Sequence, residues 1–153
     1  MTTTPHSESG KLTFFSDECL GRLVPNTLIK AGVPIKMYAD CFRSGIDDTE
    51  WIPLVVERGW VILTKDPAIG RRISEQAVLA QAGAKVFAFR SGQVKSEIVI
   101  EAFIKAYPKM LEIAETTEPP FIAKVYKSGE VKLWKNSSTL RDIVNKFADD
   151  GEA

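Results

Sequence analysis

The sequence predicts an α/β protein: a three-layer α/β/α sandwich around a mainly parallel sheet, extended by a C-terminal β-hairpin and helix. Three observations predict it. Short apolar runs alternate with helical stretches in the order β-α-β-α-β-α-β-α as far as Glu115. Strands separated by helices pair in parallel, with both faces of the sheet covered and right-handed crossovers. After Glu118-Pro119-Pro120 the pattern changes to two apolar runs flanking Lys127-Ser128-Gly129-Glu130, whose glycine suits a hairpin tip. Finally, the apolar runs Leu12-Thr13-Phe14-Phe15-Ser16 and Trp60-Val61-Ile62-Leu63 break off into Asp17-Glu18 and Thr64-Lys65-Asp66.

Residues 1–10 are polar and read as a disordered tail, residues 11–118 as the main domain, and residues 119–153 as a hairpin and helix packed on the same domain. Leu12 to Ser16 is the first strand. Glu18 to Ala31 has apolar Leu20, Leu23, Leu28 and Ile29 near helical spacing, with Pro25 as a kink or break and Gly32 as a stop. Val33, Ile35 and Met37 alternate in a second strand from Val33 to Ala39. Asp40 to Ile46 is a loop. Asp48 is placed to cap a helix from Thr49 to Arg58, with Glu50 in its first turn and Trp51, Ile52, Leu54, Val55 and Val56 on its buried side. Trp60 to Leu63 is the third strand. Asp66 before Pro67 caps a helix running to about Ala82, because proline favours the first helical position. Lys85 to Phe89 is the fourth strand and Lys95 to about Glu115 a long helix. Phe121 to Tyr126 and Val131 to Trp134 form the hairpin, and Thr139 to Ala148 a last helix capped by Ser137 or Ser138.

Composition excludes some function classes. At 153 residues the chain has room for one domain with a substantial core, and 44% hydrophobic with 26% charged residues is ordinary for a soluble protein. Lys+Arg and Asp+Glu both number 20, so the surface is not broadly basic, although a local basic groove is compatible with a zero sum. The single histidine, His6, argues against a histidine-rich metal site and a histidine-based triad. Cys19 and Cys41 are too few for a disulfide scaffold and read as reduced, small core residues of a cytoplasmic protein. No apolar run approaches the ~18–20 residues that span a bilayer, and the N-terminal tail has no apolar signal core.

In an open parallel sheet, ligands bind outside the C-terminal ends of the strands. Asp17, Glu18, Asp40, Asp66 and Arg90 fall at such ends, and Asp47, Asp48 and Glu50 at the start of a neighbouring helix. Converging carboxylates repel one another unless a cation neutralises them. Hard ions such as Mg²⁺ or Mn²⁺ prefer such oxygen ligands. Each acid also has a simpler role. Asp17, Asp48 and Asp66 suit helix caps, Glu50 suits the positive end of a helix dipole, and Thr64 suits either orienting Asp66 or filling a strand position. Arg43, Lys65, Arg71, Arg72, Arg90 and Lys95 lie near the same edge and suit phosphate, while Arg71 and Arg72 also suit pairing with Glu75. Trp51, Trp60 and Trp134 are read as core rather than stacking platforms.

The order Phe14-Phe15-Ser16-Asp17-Glu18, then Asp48-Thr49-Glu50-Trp51-Ile52-Pro53, then Gly59-Trp60-Val61-Ile62-Leu63-Thr64-Lys65-Asp66 resembles the PIN-like domains, in particular the branch of toxin ribonucleases from toxin–antitoxin systems. The likeness covers about residues 12–90. It implies an endoribonuclease dependent on Mg²⁺ or Mn²⁺, with Asp17, Asp48, Glu50 and Asp66 catalytic. Asp17, Asp66 and Asp48 would be metal ligands, and Lys65, Arg71, Arg72 and Arg90 would bind substrate phosphate. RNA is then the substrate, an antitoxin protein the implied partner, and a homodimer is left open. Where the wider superfamily carries a further acid after the fourth strand, this chain reads Arg90-Ser91-Gly92-Gln93. Asp48, Glu50 or Glu18 then completes the site, or the module binds RNA or protein without cutting. A phosphoacceptor receiver domain is a third reading, disfavoured because it needs a fifth parallel strand where the sequence turns to a hairpin.

Overall fold

The apolar runs become short strands, and those at Phe14–Ser16 and Val61–Thr64 are buried along their whole length. A computed structural model describes residues 12–65, 73–90 and 93–152. The strands are β1 (Phe14–Ser16), β2 (Ile35–Met37), β3 (Val61–Thr64), β4 (Lys85–Phe89), β5 (Phe121–Val125) and β6 (Val131–Lys135). The helices are α1 (Leu23–Lys30), α2 (Tyr38–Cys41), α3 (Asp48–Glu57), α4 (Ile73–Ala82), α5 (Ser96–Thr116) and α6 (Ser137–Glu152), with a 3₁₀ turn at Glu18–Leu20. The strands form one six-stranded sheet in the order β2-β1-β3-β4-β5-β6, parallel except for β6. This is the expected three-layer sandwich. No helix among the described residues is long and apolar enough to cross a membrane.

Strand alternation divides the core in two. Phe14, Val61, Leu63, Phe87 and Phe121 point to one face, against α1 and α5. Phe15, Ile62, Val86 and Ile122 point to the other, against Trp51, Ile52 and Val55 of α3, Leu79 of α4 and Leu140 of α6. Both faces being covered explains why the strands read as unbroken apolar runs. On the second face Phe15 is the hub of an aromatic cluster. Its ring lies 5.4 Å from Trp51, 5.9 Å from Phe42, 6.2 Å from Tyr38 and 6.0 Å from Trp60, which it stacks at 10°.

Several elements differ from expectation. The chain between Glu18 and Ala31 is not one helix. It breaks at Gly21, whose φ of 67° is open to glycine at no steric cost. Pro25 lies in the first turn of α1, where a missing N–H breaks no bond, so it causes no kink. The second strand is shorter than Val33 to Ala39, because Tyr38–Cys41 turns helical. Asp47 rather than Asp48 occupies the cap position of α3, without a side-chain capping bond. Asp48 has another partner, Trp51, described below.

The first hairpin strand is also a member of the central sheet. β5 pairs in parallel with β4 from Lys85↔Phe121 to Phe89↔Val125, and β6 then returns antiparallel along β5. A fifth parallel strand therefore exists, and the topological objection to a receiver-like domain falls. The hairpin tip does use its glycine. Gly129 has φ of 90°, and a Cβ there would lie 2.5 Å from Lys105 Cβ of α5. The expected N-terminal tail and the start of the helix after Pro67 lie outside the described residues.

Candidate active site

The parallel register Ser16↔Leu63 sets Asp17 beside Thr64 at the C-terminal edge of the neighbouring strands β1 and β3. The Asp17 amide donates to the Leu63 carbonyl at 3.0 Å, which fixes the backbone. Its carboxylate is then fixed twice. Oδ1 accepts the Glu18 N–H at 2.6 Å, so Asp17 caps the 3₁₀ turn, and Oδ2 accepts the Thr64 hydroxyl at 3.0 Å. Cys19 Sγ lies 3.2 Å from Thr64 Oγ1 and 3.7 Å from Asp17 Oδ2. Across from them, Asp48 in the first turn of α3 accepts Trp51 Nε1–H on Oδ1 at 2.9 Å. Trp51 is itself clamped by Phe15, so the aromatic core orients Asp48.

Glu18 and Tyr38 tie the loop after α2 to this edge. Glu18 Oε2 accepts the Ser44 hydroxyl at 2.6 Å and Oε1 the Gly45 N–H at 3.5 Å. The buried Tyr38 hydroxyl donates to the Arg43 carbonyl at 3.1 Å and accepts the Ile46 N–H at 3.0 Å. Beside them opens a cleft of about 300 Å³, walled by Glu18, Tyr38, Phe42, Arg22 and Arg43.

The electrostatics show that these groups sense one another. Burial is the main reason that Asp17 titrates above the ordinary carboxylate value, and the Asp48 charge pushes it further, against the Thr64, Glu18 and Cys19 hydrogen bonds. Burial also raises the Tyr38 phenol, with Glu18, Asp17 and Asp48 all adding to it and the Ile46 N–H opposing. A carboxyl raised on folding binds more protons folded than unfolded. The domain therefore loses stability as pH rises from the unfolded carboxylate's range through the raised Asp17 value. Above it, the ionised Asp17 is held at a penalty that a cation relieves.

Carboxylate oxygens of this kind match a hard divalent ion. Among the described residues, no group of three His, Cys, Asp or Glu side chains converges closely enough to hold one. Of the three expected ligands, Asp17 and Asp48 fall within the described residues.

A family model for the PIN like domain matches residues 12–91. The chain belongs to the PIN-like domain family. Neither curated proteins nor solved structures give a match. The matched segment of this PIN-like domain runs from β1 to the end of β4 and includes Asp17, Asp48 and Asp66.

Of the residues predicted to form the site, the structure brings together Asp17 and Asp48. Glu50 is exposed, and Asp48 is the α3 carboxylate whose charge reaches Asp17. Lys65 is exposed next to Thr64, and Arg90 is exposed at the end of β4, its amide bonded to the Val125 carbonyl. Asp66, Arg71 and Arg72 lie outside the described residues, and so does any pairing of Arg71 or Arg72 with Glu75. Asp40 pairs with Arg22 at 3.5 Å, both well exposed. Asp47 is exposed at the α3 cap. Thr64 bonds to Asp17 rather than serving only as a strand residue. Cys19 is exposed at the site edge, not in the core, and Cys41 is half-buried. Sequence reasoning missed Tyr38 and the loop-pinning role of Glu18. A tyrosine immediately after an alternating strand, followed by a short polar loop, was the available signal.

Thr64→Val tests the internal support of Asp17. It conserves shape but deletes a hydrogen bond to a charged group, a contact of about 1.5–3 kcal/mol. The hydroxyl favours the ionised form, so its loss raises the Asp17 pKa further. Thermal denaturation against pH is expected to show the variant well below wild type at pH 7, with the gap narrowing at pH 4.

Proposed function

We propose that this PIN-like domain is a metal-dependent endoribonuclease that hydrolyses RNA phosphodiester bonds, with Asp17, Asp48 and Asp66 as ligands of Mg²⁺ or Mn²⁺. The observation that carries the proposal is the half-buried Asp17 carboxylate, fixed by the Glu18 N–H and the Thr64 hydroxyl within reach of the Asp48 charge, at the sheet edge of a PIN-like domain. A bound divalent ion supplies a water of lowered pKa and neutralises charge on the phosphate. Thr64 and the Glu18 amide aim Asp17, and Trp51 aims Asp48. Glu50 stands nearby on the exposed start of α3, able to orient water from outside. Lys65, Arg71, Arg72 and Arg90 neutralise the phosphates flanking the cut. We infer further that the protein is the toxin of a toxin–antitoxin pair, with an antitoxin protein as partner; the cytoplasm is the compartment this implies.

The test is cleavage of generic single-stranded RNA with Mn²⁺, by wild type and by Asp66→Asn. Cleavage by wild type alone is the expected result. A second reading, RNA or protein binding without cutting, draws on Arg90 at the position where related domains carry a further acid and on the two-carboxylate set among the described residues. RNA binding without Mn²⁺-dependent cleavage would select it. The fifth parallel strand gives the receiver reading some topological support, which phosphotransfer from a small phosphodonor onto Asp66 would convert into a result.

A further inference from the structure

The hairpin carries a concentration of positive charge that the acidic edge does not use. Lys124 of β5 lies directly opposite Lys132 of β6, a like-charge pairing that destabilises a sheet. Lys135 adds a third ammonium on the same strand, and Arg90 stands where β4 ends beside Val125. Lys124 Nζ sits 3.9 Å and Lys135 Nζ 4.9 Å from the centre of the Trp134 ring, which remains 37% exposed. Lys132 Nζ lies 5.9 Å from the Tyr126 ring and 3.7 Å from Glu130. Among the described residues, Lys124, Lys135 and Arg90 make no ion pair. Burial lowers the Lys124 pKa, and the charges of Arg90 and Lys135 lower it further, as expected for cations facing one another without a counter-ion.

Lysines on an edge strand guard against edge-to-edge pairing. That role requires neither an exposed tryptophan beneath the ammonium groups nor an arginine on the next strand. Cations interleaved with an aromatic ring are instead the pattern that holds single-stranded nucleic acid, through phosphates and base stacking. The position suits the same ligand. β1, β3, β4 and β5 are parallel neighbours, so Lys124 lies near the same sheet edge as Asp17, three strand spacings or about 14 Å away. A few nucleotides cover that span.

We propose that the β5–β6 hairpin is a second contact for single-stranded RNA, in which Lys124 and Lys135 take phosphates and a base stacks on Trp134, continuing the path of the strand from Arg90. The hairpin lies outside the matched family segment, so this contact is a feature of the chain's own C-terminal extension. It rests on RNA being the substrate of the acidic edge.

The test uses the full chain with a fluorescein-labelled oligouridylate, in EDTA so that binding is read apart from cleavage. Lys124→Gln/Lys135→Gln is expected to weaken binding about tenfold near 0.1 M salt. It should also flatten the plot of log affinity against log salt by about 1.4, two phosphates at ~0.7 each. Trp134→Leu is expected to lose about tenfold, with Trp134→Phe retaining most of the affinity. RNA should quench tryptophan emission in wild type and much less in Trp134→Phe. With Mn²⁺, KM rises in the hairpin variants while kcat stays within about twofold. Thermal melting checks that each variant is folded. Unchanged affinity and salt slope in folded variants overturn the proposal. Equal binding of polyglutamate, without quenching, overturns it in favour of an acidic protein partner. RNA binding that depends on the hairpin without any cleavage keeps this contact and sinks the nuclease. Cleavage indifferent to the hairpin variants does the reverse.

Discussion

Asp17→Asn is expected to reduce Mn²⁺-dependent RNA cleavage by more than about 100-fold while leaving the domain folded and no less stable at pH 7. The two halves of that expectation have different origins. Loss of activity follows from removing a ligand charge, since even the groups that merely support a metal ligand matter 10–100-fold. Retained stability follows from the raised Asp17 pKa, which burial causes first. Above that pKa, folding holds an ionised carboxylate where a neutral group is favoured, and asparagine removes the penalty. Its side-chain oxygen still accepts the Glu18 N–H. Melting temperatures from pH 4 to pH 8 check the sign: the variant should gain on wild type as pH rises through the Asp17 transition. A residue present only to cap the 3₁₀ turn would show the opposite, a loss of stability with activity intact.

Phe15→Ala is expected to be the most damaging single change to the fold. The ring is fully buried and meets Tyr38, Phe42, Trp51 and Trp60. Truncating a buried phenylalanine costs about 3–5 kcal/mol, a large part of the ~5–15 kcal/mol that holds a domain together. Melting should fall by about 10 °C. The functional consequence separates it from Phe14→Ala, which opens a hole on the opposite face against Phe87 and Tyr107. Phe15 backs the two rings that position the site, Trp51 on Asp48 and Tyr38 on the Arg43–Ile46 loop. Cleavage measured well below the melting temperature should therefore drop in Phe15→Ala and persist in Phe14→Ala.

Much of the architecture was legible because it is local. Apolar runs, glycines and the Pro119-Pro120 break mark the strands and their order. Pairing is not local, and this is why the parallel partner of β5 was missed: a run such as Phe121 to Val125 reads the same whether β4 or β6 lies beside it. The candidate site divides along the same line. Asp17 was legible as an acid ending a buried strand. The partner of Thr64 was not, because Thr64 and Asp17 meet only through the Ser16↔Leu63 register. Asp48 looked like a cap because capping preferences come from sequence alone, whereas the indole N–H of Trp51 three residues on competes for its oxygen. Trp134 reads as core from its residue type, although the faces of its hairpin are not assignable from sequence, and it stands exposed beside two lysines.

The central claim is that Asp17, Asp48 and Asp66 share one divalent cation. Melting the purified protein across a Mn²⁺ titration tests it without any substrate. A ligand bound only by the folded state at 100 times its Kd contributes about 2.7 kcal/mol, a rise of roughly 5–10 °C for a chain of this size. The account predicts that rise in wild type and its loss in Asp17→Asn, Asp48→Asn and Asp66→Asn alike. A wild type indifferent to millimolar Mn²⁺, or an Asp17→Asn variant stabilised as much as wild type, would contradict it.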